Sequence, residues 1–217
     1  MAPRLASTGQ SARLIVLDTG RDVDLPKIEL VKASYRDFAS MRQALAGVHT
    51  FFMIPVHEAP DRVQQHVTAV DAAVAASVKR IVYSSFVGAS PDATFTFARD
   101  HWHTEEHIRS TDLDFTFLRG NVYLDVLPWI VGTDGFIRGP AGDGHVAAVA
   151  RDDVADAAVS VLLGENPQRR DLRRFRTGEA NVASGCGALL AGRGSRHHLP
   201  CGDDRGGVRG ACILRRA

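Results

Sequence analysis

No apolar run in this chain of 217 residues reaches the length of about 20 that a bilayer demands, so nothing in it reads as a membrane-spanning helix. No basic, then apolar, leader is visible at its opening, and the expected compartment is cytoplasmic. Cysteine is scarce: Cys186, Cys201 and Cys212 are the whole complement. Their odd number and spacing argue against a disulfide framework and against a thiolate metal site. Lysine is absent from residues 168–217, and no aromatic residue follows Phe175. The chain also contains no G-x-G-x-x-G and no G-x-x-G-x-x-G, the turns that bring backbone N–H groups against a pyrophosphate.

What is present divides in two. Of 26 basic and 25 acidic residues, residues 168–217 hold 11 Arg and 4 acidic residues, a local +7, leaving 15 and 21, or −6, for the remainder. That break predicts a folded domain over 1–167 and an Arg/Gly-rich tail over 168–217, disordered by composition. Within the domain, residues 13–18 (RLIVLD), 28–33 (IELVKA), 49–54 (HTFFMI), 80–84 (RIVYS) and 114–119 (DFTFLR) read as strands. Helices are expected over 37–46, capped by Asp37 and ended by Gly47, and over 59–78, with Val63, Val67, Val70, Val74 and Val78 on one face. Two more are expected over 97–110 and 152–163. Strands alternating with helices of this length predict an α/β fold, a doubly wound parallel sheet of Rossmann-like type covered on both faces.

Three segments carry a resemblance: VDAAVAASVKRIVYSSFVGAS at 70–90, FTFARDHWHTEEHI at 95–108 and FTFLRGNVY at 115–123. With IRGPAGDGHVAAVARDDV at 137–154, they resemble the NmrA-like branch of the short-chain dehydrogenase/reductase superfamily, and within it the atypical NAD(P)H:quinone oxidoreductases. The resemblance implies an NADP or NAD cofactor, with the preference open, and a small acceptor such as a quinone. A homodimer is left open, and neither a membrane nor a nucleic acid is an expected partner. It implies in addition that the chain opens inside the first helix, so that the first strand and glycine loop are lacking. The nearest substitute, Ser7-Thr8-Gly9-Gln10, precedes a strand and not a helix.

The end of the second family strand meets the adenosine ribose, which nominates Asp18 with Arg21 close behind; the alternative is a turn aspartate, since Thr19-Gly20 follows. The next strand ends nominate Ile54 and Pro55, then Ser84, Ser85 and Phe86. Asn121 and Tyr123 follow the strand at 114–119 on the nicotinamide side, or Asn121 caps a helix. Anchoring the family's acidic residue on Glu105 puts His101 where a catalytic Tyr-x-x-x-Lys has its lysine, and Phe97 where it has its tyrosine. A phenyl ring has no proton to give. His101 is therefore the candidate for orienting ribose or donating a proton, against the reading of an inert helix histidine.

The tail has its own explanation. LPCGDDRGGV at 199–208 is what an out-of-frame reading of codons for T-Y-H-A-E-T-I-E-E-A-Y yields, and the change of frame is expected near residues 177–184. An Arg-rich arm on a phosphate backbone is the competing account. For the chain as a whole, a non-catalytic NAD(P)-sensing regulator stands as the alternative to a reductase.

Overall fold

Successive residues of a strand face opposite sides of a sheet, and burial in this chain keeps that period. The protein was studied as a computed structural model, which describes residues 1–20, 24–130, 145–164, 170–172, 180–181 and 211–214. Phe51, Met53, Ile81, Tyr83, Phe115 and Phe117 fill the core on one face of the sheet. Phe52 and Val82, which lie between them, and Leu118, which follows Phe117, fill the core on the other.

In chain order the elements are α1 (Ala2–Ser7), β1 (Ala12–Val16), β2 (Ile28–Lys32), α2 (Phe38–Ala44), β3 (Thr50–Met53), α3 (Arg62–Ala75), β4 (Arg80–Phe86), α4 (Thr96–Arg109) and β5 (Asp114–Gly120). They are followed by α5 (Leu127–Ile130), β6 (His145–Val146), α6 (Arg151–Leu163), β7 (Arg170–Leu172), β8 (Ala180–Asn181) and β9 (Ala211–Leu214). Two units result. The larger takes Met1–Gly120, Ala155–Arg174 and Val208–Ala217; the smaller takes Asn121–Val154 and Phe175–Gly207.

In the larger unit seven described strands form one sheet in the order β2-β1-β9-β3-β4-β5-β7. The pairs β1/β2, β3/β4, β4/β5 and β5/β7 are parallel, as a doubly wound α/β fold requires. Met41, Leu45, Ala69, Val70, Ala73 and Ile108 cover one face from the side of α2, α3 and α4. Leu5 of α1 and Ala158 and Leu162 of α6 cover the other. Asp37 starts α2 as expected: its carboxylate accepts from the amides of Ala39 at 3.0 Å and Ser40 at 3.3 Å, two donors a helix end leaves free. Gly47 follows at φ +71°, a left-handed turn that a side chain would strain.

Two features depart from the sequence reading. The valine row read for α3 is buried only in part: Val70 is, as is Val78 just past the helix end, whereas Val74 is not. Val74 is 45% exposed, while Arg62, Gln65, His66, Ala69, Val70, Ala72 and Ala73 are buried. Alanines allow close approach, and the polar residues among them have partners described below. The second departure is β9. It runs antiparallel between two parallel pairs, matching Ile15 with Ala211 and Ala12 with Leu214 on one side, and Phe52 with Cys212 and Thr50 with Leu214 on the other. β1 and β3 have no direct pairing in that order. Backbone donors and acceptors inside a sheet must be paired, and β9 supplies the partners for both. The described parts of the stretch predicted to be a tail are thus the short strands β7, β8 and β9; its other residues lie outside the described set.

The smaller unit contains a 3-10 turn at Leu124–Val126, α5, and the antiparallel pair β6/β8. Tyr123 forms a parallel bridge to Val149.

Candidate functional site

In open α/β sheets, ligands bind beyond the carboxyl ends of the strands. Here those of β3, β4 and β5 stand side by side: Met53 is level with Tyr83, and Phe86 with Gly120. The loop leaving β3 is tied down by side chains. The Tyr35 hydroxyl donates to the Ile54 carbonyl at 3.2 Å. The Val56 amide donates to His66 Nε2 at 3.1 Å, and Arg62 Nε donates to the Val56 carbonyl at 3.0 Å. Both backbone groups of Val56 are therefore held by α3, and the segment from Ile54 to Val56 is fixed before any ligand arrives.

Arg62 has more to do. It is 2% exposed, the largest fully buried side chain among the described residues. Its Nη1 donates to Asp100 Oδ2 at 3.1 Å and its Nη2 to His101 Nε2 at 3.2 Å. A guanidinium only donates, so Nε2 of His101 accepts. The ring proton then sits on Nδ1, which donates to the Tyr83 hydroxyl at 2.8 Å. The same logic fixes His66: its Nε2 accepts from Val56, so its Nδ1 proton goes to Thr104 Oγ1 at 2.8 Å. Thr104 passes its own proton to the Asp100 carbonyl at 2.8 Å. Both histidines are thereby held neutral.

Their proton affinities agree. Burial, then the Arg62 charge, pushes His66 down to about 3. Burial first, with Arg62 and His66 adding to it, holds His101 well below the ordinary imidazole range. Burial raises the Tyr83 phenol above its usual value. A histidine whose folded pKa is depressed contributes stability above its unfolded pKa of about 6.5, lost as pH falls toward the folded value. The groups around His66 are Arg62 on its own helix, Thr104 on α4, Tyr83 on β4 and Tyr35 before α2. The urea midpoint is therefore expected to fall between pH 7 and pH 4.5, by up to about 1.4 kcal/mol per pH unit for each such ring. His66→Gln, which retains an acceptor and a donor, flattens that slope. An unchanged slope in the variant would refute the assignment.

Beside this cluster lies Glu105, 0% exposed on α4. Its carboxylate accepts from the Ser85 hydroxyl at 2.6 Å, from Arg119 Nε at 2.9 Å and from Arg109 Nη2 at 3.2 Å. One buried anion thus joins the ends of β4 and β5 to α4.

Aromatic rings complete this edge. Phe86, the last residue of β4, stacks on His101 at 6.0 Å with planes 26° apart and meets Phe95 at 5.5 Å. Phe95 stacks on Phe97 at 5.3 Å and 24°, and the Arg62 guanidinium lies 4.8 Å from the Phe97 centroid.

The sequence-nominated residues fall into place unequally. Ile54, Pro55, Ser84, Ser85, Phe86 and His101 converge on this edge. Ser84 is buried, in register with Leu118. The Ser85 hydroxyl is given to Glu105, which makes it part of the support beneath the groove. His101 spends both ring nitrogens on Arg62 and Tyr83, so the geometry favours orienting over proton donation. Asp18 follows β1 and is exposed; its Oδ1 accepts from the Gly20 amide at 3.0 Å, the turn contact, while its second oxygen has no role in that turn. Arg21 lies outside the described residues. In the smaller unit, Asn121 Oδ1 accepts from the Val122 amide at 2.8 Å, and the Arg151 guanidinium lies 5.3 Å from the Tyr123 ring centroid. The sequence reading did not nominate Arg62, His66, Tyr83, Asp100, Thr104 or Arg119. A signal existed: Arg62 with His66 and Asp100 with Thr104 are both i, i+4 pairs that place polar groups on one helix face.

A dinucleotide needs three things: a ribose contact, a groove along the strand ends, and N–H groups around its pyrophosphate. The first two have residues here. For the third, β1 leads to β2 with no helix between them among the described residues, and the sequence has no glycine loop. The residues fit the ends of such a cofactor and not its middle.

Residues 2–165 match the family described as NAD(P)H-binding. Quinone oxidoreductase 2 of Escherichia coli strain K12 is 34% identical over 139 residues, 62% of this chain and 48% of that protein. The (4-alkanoyl-5-oxo-2,5-dihydrofuran-3-yl)methyl phosphate reductase of Streptomyces griseus is 31% identical over 181 residues, 78% of this chain and 61% of its own. Among solved structures, the Citrobacter sp. triphenylmethane reductase complexed with NADP(H) superposes with a TM-score of 0.67 at 27% identity, covering 77% of this chain and 61% of that one. The chain thus spans between about half and three-fifths of the length of these relatives.

Proposed function

The chain belongs to the NAD(P)H-binding family, and from that premise we propose that it is an NmrA-like reductase of quinone-type or similar small acceptors. One observation carries the reading. The ends of β3 and β4 carry a side-chain-pinned segment from Ile54 to Val56 and the Phe86 ring, and there is no tyrosine at position 97. Reduction of a carbonyl needs a positioned acid at its oxygen. A quinone can take its protons from water, so a site with Phe97 in place of that acid suits it better. The regulatory alternative has no comparable feature in its favour.

In this reading Asp18 faces the adenosine ribose through its second carboxylate oxygen, with Arg21 near it. Ile54, Pro55, Ser84 and Phe86 line the path toward the nicotinamide. Ser85 and His101 are positioning residues, one held by Glu105 and the other by Arg62 and Tyr83. The missing pyrophosphate grip has a cost. Two or more charge-assisted hydrogen bonds, each worth about 1.5–3 kcal/mol, amount to a hundredfold or more in affinity. NADPH titrated against this chain, followed by its fluorescence, is expected to bind at least about a hundredfold more weakly than to Escherichia coli quinone oxidoreductase 2 measured in parallel. Equal affinity would refute the missing grip. No binding at millimolar NADPH together with no quinone reduction would refute the reductase reading.

A further inference from the structure

A helix N-cap is normally Ser, Thr, Asp or Asn, whose side chain satisfies a free amide. The N-cap of α4 is Phe95, with no side-chain cap hydrogen bond, although threonines flank it on both sides. Phe95 is 50% exposed. It therefore serves neither the helix end nor the core. Its ring stands between Phe97 and Phe86, both half-buried, and Phe86 rests in turn on His101. Arg62 closes the row behind Phe97. Ile54 and Val87, the residues that follow β3 and β4, are 38% and 39% exposed, which leaves further apolar side chains uncovered at these strand ends. A contiguous exposed apolar patch rimmed by polar groups marks a place for a ligand. Phe95 and Phe97 lie near parallel at 24°, with Phe86 tilted 54° against Phe95, and the ligand that fits the exposed Phe95 ring is itself flat and conjugated, because offset stacking rewards planar partners beyond the area they bury.

We infer that Phe95, backed by Phe86 and Phe97, is a specificity-determining stacking platform that selects flat conjugated ring acceptors over aliphatic carbonyl compounds. The inference rests on the reductase reading. The occupant's chemistry is favoured by the exposed Phe95 ring and by the absence of a proton donor at Phe97.

The test is equilibrium binding by calorimetry to the whole chain, with and without NADP, so that it does not depend on turnover. The probes are dimethylnaphthoquinone, whose substituted ring carbons resist addition of the cysteine thiols, and cyclohexanedione. Wild type is expected to prefer the naphthoquinone. Phe95→Leu weakens it about three- to tenfold, the factor an aromatic pair is worth. Phe95→Tyr restores it, and neither change alters binding of the dione. Naphthoquinone affinity unchanged in Phe95→Leu, or no preference over the dione in wild type, overturns the platform, as does a wild type that binds no naphthoquinone. Both variants are checked for a wild-type thermal melt; if the leucine variant melts early, the tyrosine variant and the probe preference of wild type still decide. NADPH titration of the same samples separates the two readings. Naphthoquinone binding that depends on Phe95 without any NADPH binding supports the platform and sinks the reductase.

Discussion

Glu105→Ala lowers the free energy of unfolding by about 3–5 kcal/mol, the usual result of stripping one partner from a buried ionic cluster. The reason is what stays behind. Arg119 has a side chain only 9% exposed and would face a hole where a carboxylate had been; Arg109, at 29%, would lose one of two carboxylates and keep Glu106. The buried Ser85 hydroxyl would lose its acceptor too. For a protein whose total stability is about 5–15 kcal/mol, that is a third or more of the whole. Glu105→Gln keeps the volume and one acceptor for Ser85 but removes the charge, and is expected to fall between the two. Urea denaturation of the three proteins, followed by far-ultraviolet circular dichroism, is the measurement. A midpoint for Glu105→Ala within error of wild type would show that the arginines reach water without cost.

Asp100→Ala is expected to cost about 3 kcal/mol by the same reasoning, seen from the cation's side. Arg62 would keep its hydrogen bonds to Val56 and His101 but lose its ion-pair partner among the described residues, in a place 2% exposed. The asymmetry is testable. In Arg62→Met the surviving partner is Asp100, whose side chain is 31% exposed and can be hydrated, so its charge is tolerated. What remains is an unpaired Val56 carbonyl and His101 Nε2, at about 1–3 kcal/mol each. A double variant, Arg62→Met with Asp100→Ala, should be less destabilised than the sum of the two changes, and the difference is the coupling between them. Strict additivity would mean that the pair contributes nothing as a pair.

The strands and helices were legible because each rests on a local pattern. RIVYS and DFTFLR are apolar runs bounded by polar or turn residues, and β4 and β5 formed there, two residues and one residue longer than read. Asp37 and Gly47 mark a helix start and stop by chemistry that needs no tertiary context. The inner polar cluster was not legible, since no single segment contains it. Arg62 and His66 come from one helix, Asp100, His101 and Thr104 from another, and Tyr83 from a strand. The valine row of α3 gave part of the buried face, Val70 and, past the helix end, Val78; the rest of that face is alanines and polar groups with partners, which hydrophobicity does not mark. In the candidate site, strand ends were found from topology alone. The commitment of Ser85 to Glu105 and of His101 to Arg62 is a matter of distances, which spacing cannot supply.

β9 bears on how the molecule is made. A ribosome delivers β1 and β2 early, then β3, β4 and β5, yet the two halves acquire their shared partner only when residues 211–214 have been translated. Until then each half shows the nascent-chain machinery an open, apolar margin of the type that invites misassociation between neighbours on a polysome. Closure of the sheet during expression thus waits on the translation of residues 211–214, and a chaperone that holds the growing chain should help this protein more than one whose sheet closes in the order of synthesis.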